Sequence, residues 1–218
     1  MKIQYLGHSC FLLTESTGTT VLTDPYSNII GFKLPDVSAM VATVSHQHYD
    51  HNNLAGLKNK PLVIDKEGLY TLDGVDITGI KSFHDDEGGS LRGENIIFKF
   101  RMDGLDICHL GDIGEACTAE LLEQILPIDI LLIPIGGKYT IDSEQAKEYV
   151  DRIMPEVVIP MHYKSKGLKM DIQKPDDFLD CFDEEEVEYC EDNVLEFSRD
   201  DLSDERTKVI MMERFKNE

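Results

Sequence analysis

Ser45-His46-Gln47-His48-Tyr49-Asp50-His51 stands where an apolar run, residues 40–44, hands over to a polar segment, residues 52–57. The run predicts a buried strand, and the segment predicts the first turns of a short helix. Two histidines spaced two apart on extended backbone point to one side, which suits two imidazoles on one metal ion. Asp50 and His51 turn onto the next element and can address a second ion. Two ions roughly 3.5 to 4 Å apart can polarise a substrate oxygen and hold a bridging hydroxide.

A two-metal site needs further ligands, and the remaining candidates fall at the ends of predicted strands. His84 follows residues 75–83, Asp112 follows residues 105–110, and His162 follows residues 157–161. His109 lies close to Asp112 and competes with His84 as a ligand. Residues 109 and 112 differ by an odd number, so on a straight strand they face opposite sides, which favours His84.

Around these points the chain reads as strands followed by helices. Ile3, Tyr5 and residues 11–14, a turn at Thr17-Gly18 and the β-branched run 19–23 predict an opening antiparallel meander. Asp103-Gly104 between residues 96–101 and 105–110 is a two-residue hairpin signal. Thr118 can cap a helix with Leu121, Leu122, Ile125 and Leu126 on one face, and Pro127 follows it. Residues 128–135 form a continuous apolar strand. Asp142 with Gln145 resembles a capping box for residues 143–153, and strands are expected at 187–190, 194–198 and 209–215. Two packed sheets with helices outside them follow from this grammar. No Gly/Ser or Pro linker divides the chain, so residues 1–218 are expected to form one domain.

The 218 residues carry 42 acids against 21 bases, a net charge of -21. Fifteen of the acids lie in residues 176–205, where Arg199 is the only base; this excess most simply confers solubility. Such acidity argues against a nucleic-acid partner, because phosphate neutralisation needs a basic face. No apolar stretch approaches the roughly 20 residues of a membrane span. Met1-Lys2-Ile3-Gln4-Tyr5 lacks the apolar core of an export signal and the five cysteines form no close pair, so the cytoplasm is the expected compartment.

His46, His48, Asp50 and His51, then His84, Asp112 after a glycine, and His162 resemble the signature of the metallo-β-lactamase fold superfamily over residues 1 to about 165. Gly7-His8-Ser9-Cys10-Phe11, Thr23-Asp24-Pro25, residues 133–140 and Ile159-Pro160-Met161-His162-Tyr163 resemble its ascorbate-6-phosphate lactonase-like branch of small metal-dependent hydrolases. The resemblance implies an α+β, four-layer αββα sandwich. It also implies two divalent ions, zinc foremost with manganese or iron open. His46, His48 and His84 would hold one ion and Asp50, His51 and His162 the other, with Asp112 bridging. A secreted β-lactamase should bring an export signal, a nuclease a basic face or extra domain, and a flavodiiron protein a flavodoxin portion; this chain shows none. The lactonase is considerably longer, so its substrate is not transferred.

The expected function is a hydrolase whose metal-bridged hydroxide attacks an ester, lactone or phosphoester, with Asp50 and Asp112 as catalytic carboxylates. The alternatives are a metal-binding sensor, scaffold or redox protein without turnover, and a nuclease. Asp24 is a candidate to orient a ligand imidazole, or else a simple Asp-Pro turn residue. His8 is expected to stabilise its loop or support a ligand. Lys164, Lys166 and Lys169 follow His162 in a stretch free of acids and suggest a small anionic substrate, or an ordinary exposed basic loop. Residues 136–140, with Lys138 and Tyr139, are expected to form a loop over the site.

Overall fold

The computed structural model describes residues 1–202 and 206–215. The opening meander forms as β1 (Lys2–Gly7), β2 (Cys10–Thr14) and β3 (Thr20–Thr23), followed by β4 (Val41–Thr43) and β5 (Leu62–Ile64). Next come β6 (Gly68–Leu72), β7 (Val75–Phe83), β8 (Glu94–Met102), β9 (Leu105–His109), β10 (Ile130–Pro134), β11 (Val157–Met161), β12 (Val187–Cys190), β13 (Val194–Glu196) and β14 (Lys208–Met212). One sheet has the order β13-β1-β2-β3-β4-β5 and the other β12-β14-β11-β10-β9-β8-β7-β6. Between β8 and β9, Asp103 and Gly104 both take positive φ (52° and 76°), the twist-matched geometry of a tight hairpin.

The pairing directions bring the chemistry to one edge. β1 and β3 flank antiparallel β2, and β3 is parallel to β4, so β1, β3 and β4 end on the same side of their sheet. In the other sheet β7 and β9 flank antiparallel β8, and β9, β10 and β11 are mutually parallel. The segments after β1, β3, β4, β7, β9 and β11 carry His8, Asp24, residues 45–51, His84, Asp112 and His162.

The inner faces bury a common core in which Phe11, Leu13, Val21 and Val41 of the first sheet meet Phe98, Phe100, Ile107, Leu132 and Ile159 of the second. The outer face of the second sheet packs on α1 (Ala119–Ile125), α2 (Ser143–Ile153) and α3 (Asp176–Leu179) through Leu121, Ile125, Tyr149, Ile153 and Phe178. Thr118 caps α1, and α2 carries both bonds of the Asp142/Gln145 capping box. The outer face of the first sheet is covered differently. Tyr26, Ile30, Phe32, Leu34 and Val37, on a loop with a single 3₁₀ turn, pack there with Leu168 and Ile172. Gly31 and Pro35 break this stretch before an α-helix can form.

Local expectations change in the 52–57 segment and at the ends of the last two expected strands. The helix expected over 52–57 is a single 3₁₀ turn, Leu54–Gly56, because Asn53 is tied through its backbone N–H to the Pro25 carbonyl and through its side chain to that of Tyr26. The last strand ends at Met212 and β13 at Glu196, short of the expected 215 and 198. The edge strands β5 and β6 lack a sequence signal, one having three residues and the other opening on Gly68. Cys10, Cys108 and Cys117 are buried, but Cys181 and Cys190 only half-buried. Among the described residues no helix is long and apolar enough to cross a membrane.

Candidate metal centre

Residues 45–51 are not extended. After β4 the chain folds into consecutive bends, and the His51 N–H reaches back to the His48 carbonyl at 3.0 Å. His46 and His48 still face one place, with ring centroids 4.6 Å apart, and His84 stands 4.6 Å from His46 and 5.1 Å from His48. Ligating atoms of these three residues lie within 4.8 Å of one another. His48 is exposed at the cavity mouth; His46 and His84 are buried.

Asp112 sits at the meeting point. Its Oδ2 is 3.2 Å from His51 Nε2, 3.2 Å from His162 Nε2, 3.6 Å from His84 Nε2 and 3.8 Å from His46 Nε2. Asp50 Oδ2 lies 3.5 Å from His51 Nε2. The Nε2 atoms of His46, His51 and His162 and the Oδ1 of Asp112 are buried without a hydrogen bond to any described residue. Buried polar atoms are rarely left so. Four imidazoles and two carboxylates gathered at one volume, three of the Nε2 atoms and one carboxylate oxygen left unmatched, fit divalent cations.

Asp24 sets the tautomers. Its carboxylate accepts the Ser45 N–H at 2.8 Å, the Ser45 hydroxyl at 2.6 Å and His51 Nδ1–H at 2.9 Å. Because the Ser45 hydroxyl donates to Asp24, its oxygen is free to accept His46 Nδ1–H at 2.9 Å. One buried carboxylate thereby turns the Nε2 lone pairs of both His51 and His46 toward the centre. Asp24 needs no turn role to explain it.

His109 is engaged elsewhere. Its Nε2 lies 2.8 Å from the Ser9 carbonyl, and its Nδ1 accepts the Gly111 N–H at 3.1 Å, so both ring nitrogens bond the backbone. The assumption of a straight strand fails, since β9 ends at His109 and the chain bends at Gly111 (φ 59°), where a Cβ would come within 2.4 Å of Asn95 Oδ1. The same bend lets Asn95 bond both the Leu110 carbonyl (2.9 Å) and the Asp112 N–H (2.9 Å). Asn95 was invisible as a site residue. Its mark is a fully buried amide on a strand whose other buried side chains, Ile97, Phe98, Phe100 and Met102, are apolar.

His8, buried in the β1–β2 turn at φ 57°, directs Nε2 to Asp50 Oδ2 at 3.1 Å. It stands among Asp50, His51 and His162, its ring centroid 4.2 Å from that of His162. Burial, then His162, push its pKa down to about 4, so at neutral pH it is an uncharged donor that orients Asp50. Asn tolerates this backbone conformation better than alanine. His8→Asn is therefore expected to keep the fold and to weaken metal binding and turnover by about 10- to 100-fold, as loss of a partner that orients a ligand does; equilibrium dialysis of metal against the variant checks this.

The protonation states suit a cation. Burial alone would raise Asp50 and Asp112, but His51 and His8 beside Asp50, and His162 and His51 beside Asp112, hold both carboxyls well below the usual range. Burial, with neighbouring imidazoles, keeps His46 and His84 below theirs. His51 goes the other way: burial disfavours its charge, yet Asp112, Asp24 and Asp50 outweigh that and raise it.

The cluster floors a cavity of about 590 Å³ lined by Ile29, Tyr49, Arg92, Tyr139, Lys169 and Met170 among others. Tyr139, on the 136–140 loop, lines this cavity. Lys138 pairs with Asp171 at 2.7 Å. Lys164 is not brought there: its ammonium bonds the Leu168 and Met170 carbonyls of its own loop, and with Lys166 it lines a separate cavity. The loop turns back on itself at residues 165–168, which a reading of adjacent lysines could not foresee.

Two parallel-ended sheets with a His/Asp cluster at their shared edge define a metallo-hydrolase fold of the metallo-β-lactamase class. The sequence profile of the β-lactamase superfamily domain matches residues 2–162. A metal-dependent hydrolase of the UPF0173 group from Methanospirillum hungatei is 30% identical over 192 residues, covering 76% of this chain and 84% of its own. Its counterpart from Methanoculleus marisnigri is 32% identical over 186 residues, covering 75% and 81%. A crystal structure from Thermotoga maritima, of a candidate Zn-dependent hydrolase of the superfamily, superposes with a TM-score of 0.81 at 41% identity over 98% of this chain and 99% of that one. The chain belongs to the metallo-β-lactamase superfamily, among the UPF0173 metal-dependent hydrolases.

Proposed function

We propose that this protein hydrolyses a small anionic ester, lactone or phosphoester at a centre of two divalent cations. His46, His48 and His84 would hold one cation, Asp50, His51 and His162 the other, and Asp112 would lie between. The observation that carries this reading is the single Asp112 oxygen facing four imidazole nitrogens from three chain segments, those after β4, β7 and β11. Bound cations would supply an acidified water as nucleophile and polarise the substrate oxygen. Asp50 and Asp112 line the cavity as ionised carboxylates, placed to take up the proton of the attacking water and return it to the leaving group. His8 holds Asp50 in that orientation, and Asp24 fixes the imidazoles behind it. Zinc suits five imidazoles with two carboxylates; manganese and iron accept the same donors.

Metal content measured on purified protein, with turnover of matched lactone, ester, phosphodiester and thioester substrates before and after chelation, tests the proposal. A metal-loaded protein that turns over none of them would sink it. The raised His51 adds a pH dependence. Its proton must leave before a cation can take Nε2, so metal uptake at neutral pH is expected to release protons and to tighten as pH rises toward the raised His51 value. Potentiometric titration of metal into unbuffered protein reads this directly.

A further inference from the structure

We infer that the substrate is an amphipathic acid: an apolar, preferably flat body with a carboxylate or phosphate remote from the scissile bond, and that Arg92 and Lys169 are the residues that bind that anion. The inference rests on the reading of the centre and its cavity as the substrate site.

Arg92 and Lys169 reach the cavity from different chain segments, and each segment is held in place. Arg92 ends a loop whose backbone is gathered around the buried Asp85 carboxylate, which accepts the N–H groups of Glu87 (3.0 Å), Gly89 (2.8 Å), Leu91 (3.0 Å) and Arg92 itself (2.7 Å). Four backbone donors on one buried side chain hold the loop in a single shape. The guanidinium also donates to the Lys138 carbonyl at 3.3 Å and lies 5.9 Å from the Tyr139 ring centroid, which leaves further N–H donors to bind a ligand. Lys169 is fixed through its backbone, whose N–H bonds the Ile30 carbonyl at 2.7 Å. Its ammonium makes no hydrogen bond or ion pair with any described residue.

The other cations nearby are already matched. Lys138 is neutralised by Asp171, and Lys164 is capped by two carbonyls. In a chain of net charge -21, two cations without a carboxylate partner among the described residues, lining one cavity, make an anion site. Apart from the metal-centre residues and Asp171, whose charge Lys138 matches, the rest of the lining is apolar or aromatic: Tyr139, Met170, Ile29, Ile30 and Tyr49, of which Ile29 is 68% and Tyr49 51% exposed at the mouth. Exposed apolar side chains that ring a cavity of this size suit a small organic body.

Calorimetric titration of the metal-loaded, full-length protein separates the parts. Terephthalate and 4-methylbenzoate have one shape and differ only in the second carboxylate; fumarate keeps both charges without the ring. Terephthalate is expected to bind at least about tenfold more tightly than either. Arg92→Ala and Lys169→Ala should each cut its advantage over 4-methylbenzoate to about threefold or less. Arg92→Lys should restore part of it, and Lys166→Ala, in the other cavity, should leave it intact. Equal affinity for the two aromatic acids, an advantage that survives both alanine variants, or no measurable binding of terephthalate overturns the anion site. Fumarate binding as tightly as terephthalate overturns the apolar body. Discrimination among these acids without hydrolysis of any ester would keep the anion site and remove the hydrolase reading; hydrolysis of neutral esters with equal affinity for both aromatic acids would do the reverse.

Discussion

Asp112→Ala is expected to abolish turnover, by at least about 10³-fold in kcat/KM, corresponding to about 4 kcal/mol of transition-state stabilisation. The reason is geometric. Among the described residues no other side chain approaches all four imidazole nitrogens, and the Asp112 oxygen does so at 3.2 to 3.8 Å. Without it the two halves of the centre lose their shared anion, and a cation bound to either half must balance its charge with fewer carboxylates. The folded chain should survive, since the Gly111 bend and the Asn95 clamp on the backbone do not need the carboxylate. The readout that separates chemistry from folding is thermal. Added metal should raise the Tm of the parent protein, by mass action on the folded state, and raise that of Asp112→Ala far less. A variant that keeps the full metal-dependent shift would show that Asp112 is not a ligand.

Asp24→Asn should damage both stability and metal affinity while barely changing shape. The carboxylate accepts three donors with two oxygens, and an amide offers one acceptor oxygen and an NH₂ group. Whichever way the amide turns, at least one buried donor, from Ser45 or His51, faces another donor. One such mismatch costs about 1 to 3 kcal/mol. The imidazoles of His51 and His46 also lose the partner that fixes their tautomers, which should lower metal affinity by about 10- to 100-fold. Chemical denaturation in the absence of metal isolates the first effect, and a competitive chelator titration the second. If Asp24→Asn bound metal as the parent does, the proposed tautomer relay through Ser45 would fall.

Much of the fold was legible because its signals are local. The strand 75–83, the helix 143–153 with its capping box, the strand 157–161 and the Asp103-Gly104 hairpin stand where periodicity and turn chemistry place them. What failed depends on partners distant in the chain. The 52–57 segment cannot extend its helical turn because Asn53 is held through its backbone N–H by the Pro25 carbonyl and through its side chain by that of Tyr26. The loop over the first sheet can remain loop because its apolar side chains find that sheet's outer face.

The candidate centre divides in the same way. His46, His48, Asp50 and His51 declare themselves by close spacing, and His84, Asp112 and His162 by following apolar strands, since a parallel or doubly reversed strand delivers its C-terminal end to one edge. His109 bonds the backbone with both ring nitrogens, an observation that supports His84 in the proposed centre and that parity along a bent strand cannot give. Asn95, Ser45, Asp85 and Arg92 carry no motif; they gain meaning only because folding sets an amide beside Asp112, a hydroxyl between Asp24 and His46, and a guanidinium on the wall of the cavity. By itself the sequence determined which donors could bind metal and which strand ends would carry them. The tertiary structure alone decided which lone pairs stay free and which cations stay unpaired, because both depend on hydrogen bonds between residues far apart in the chain.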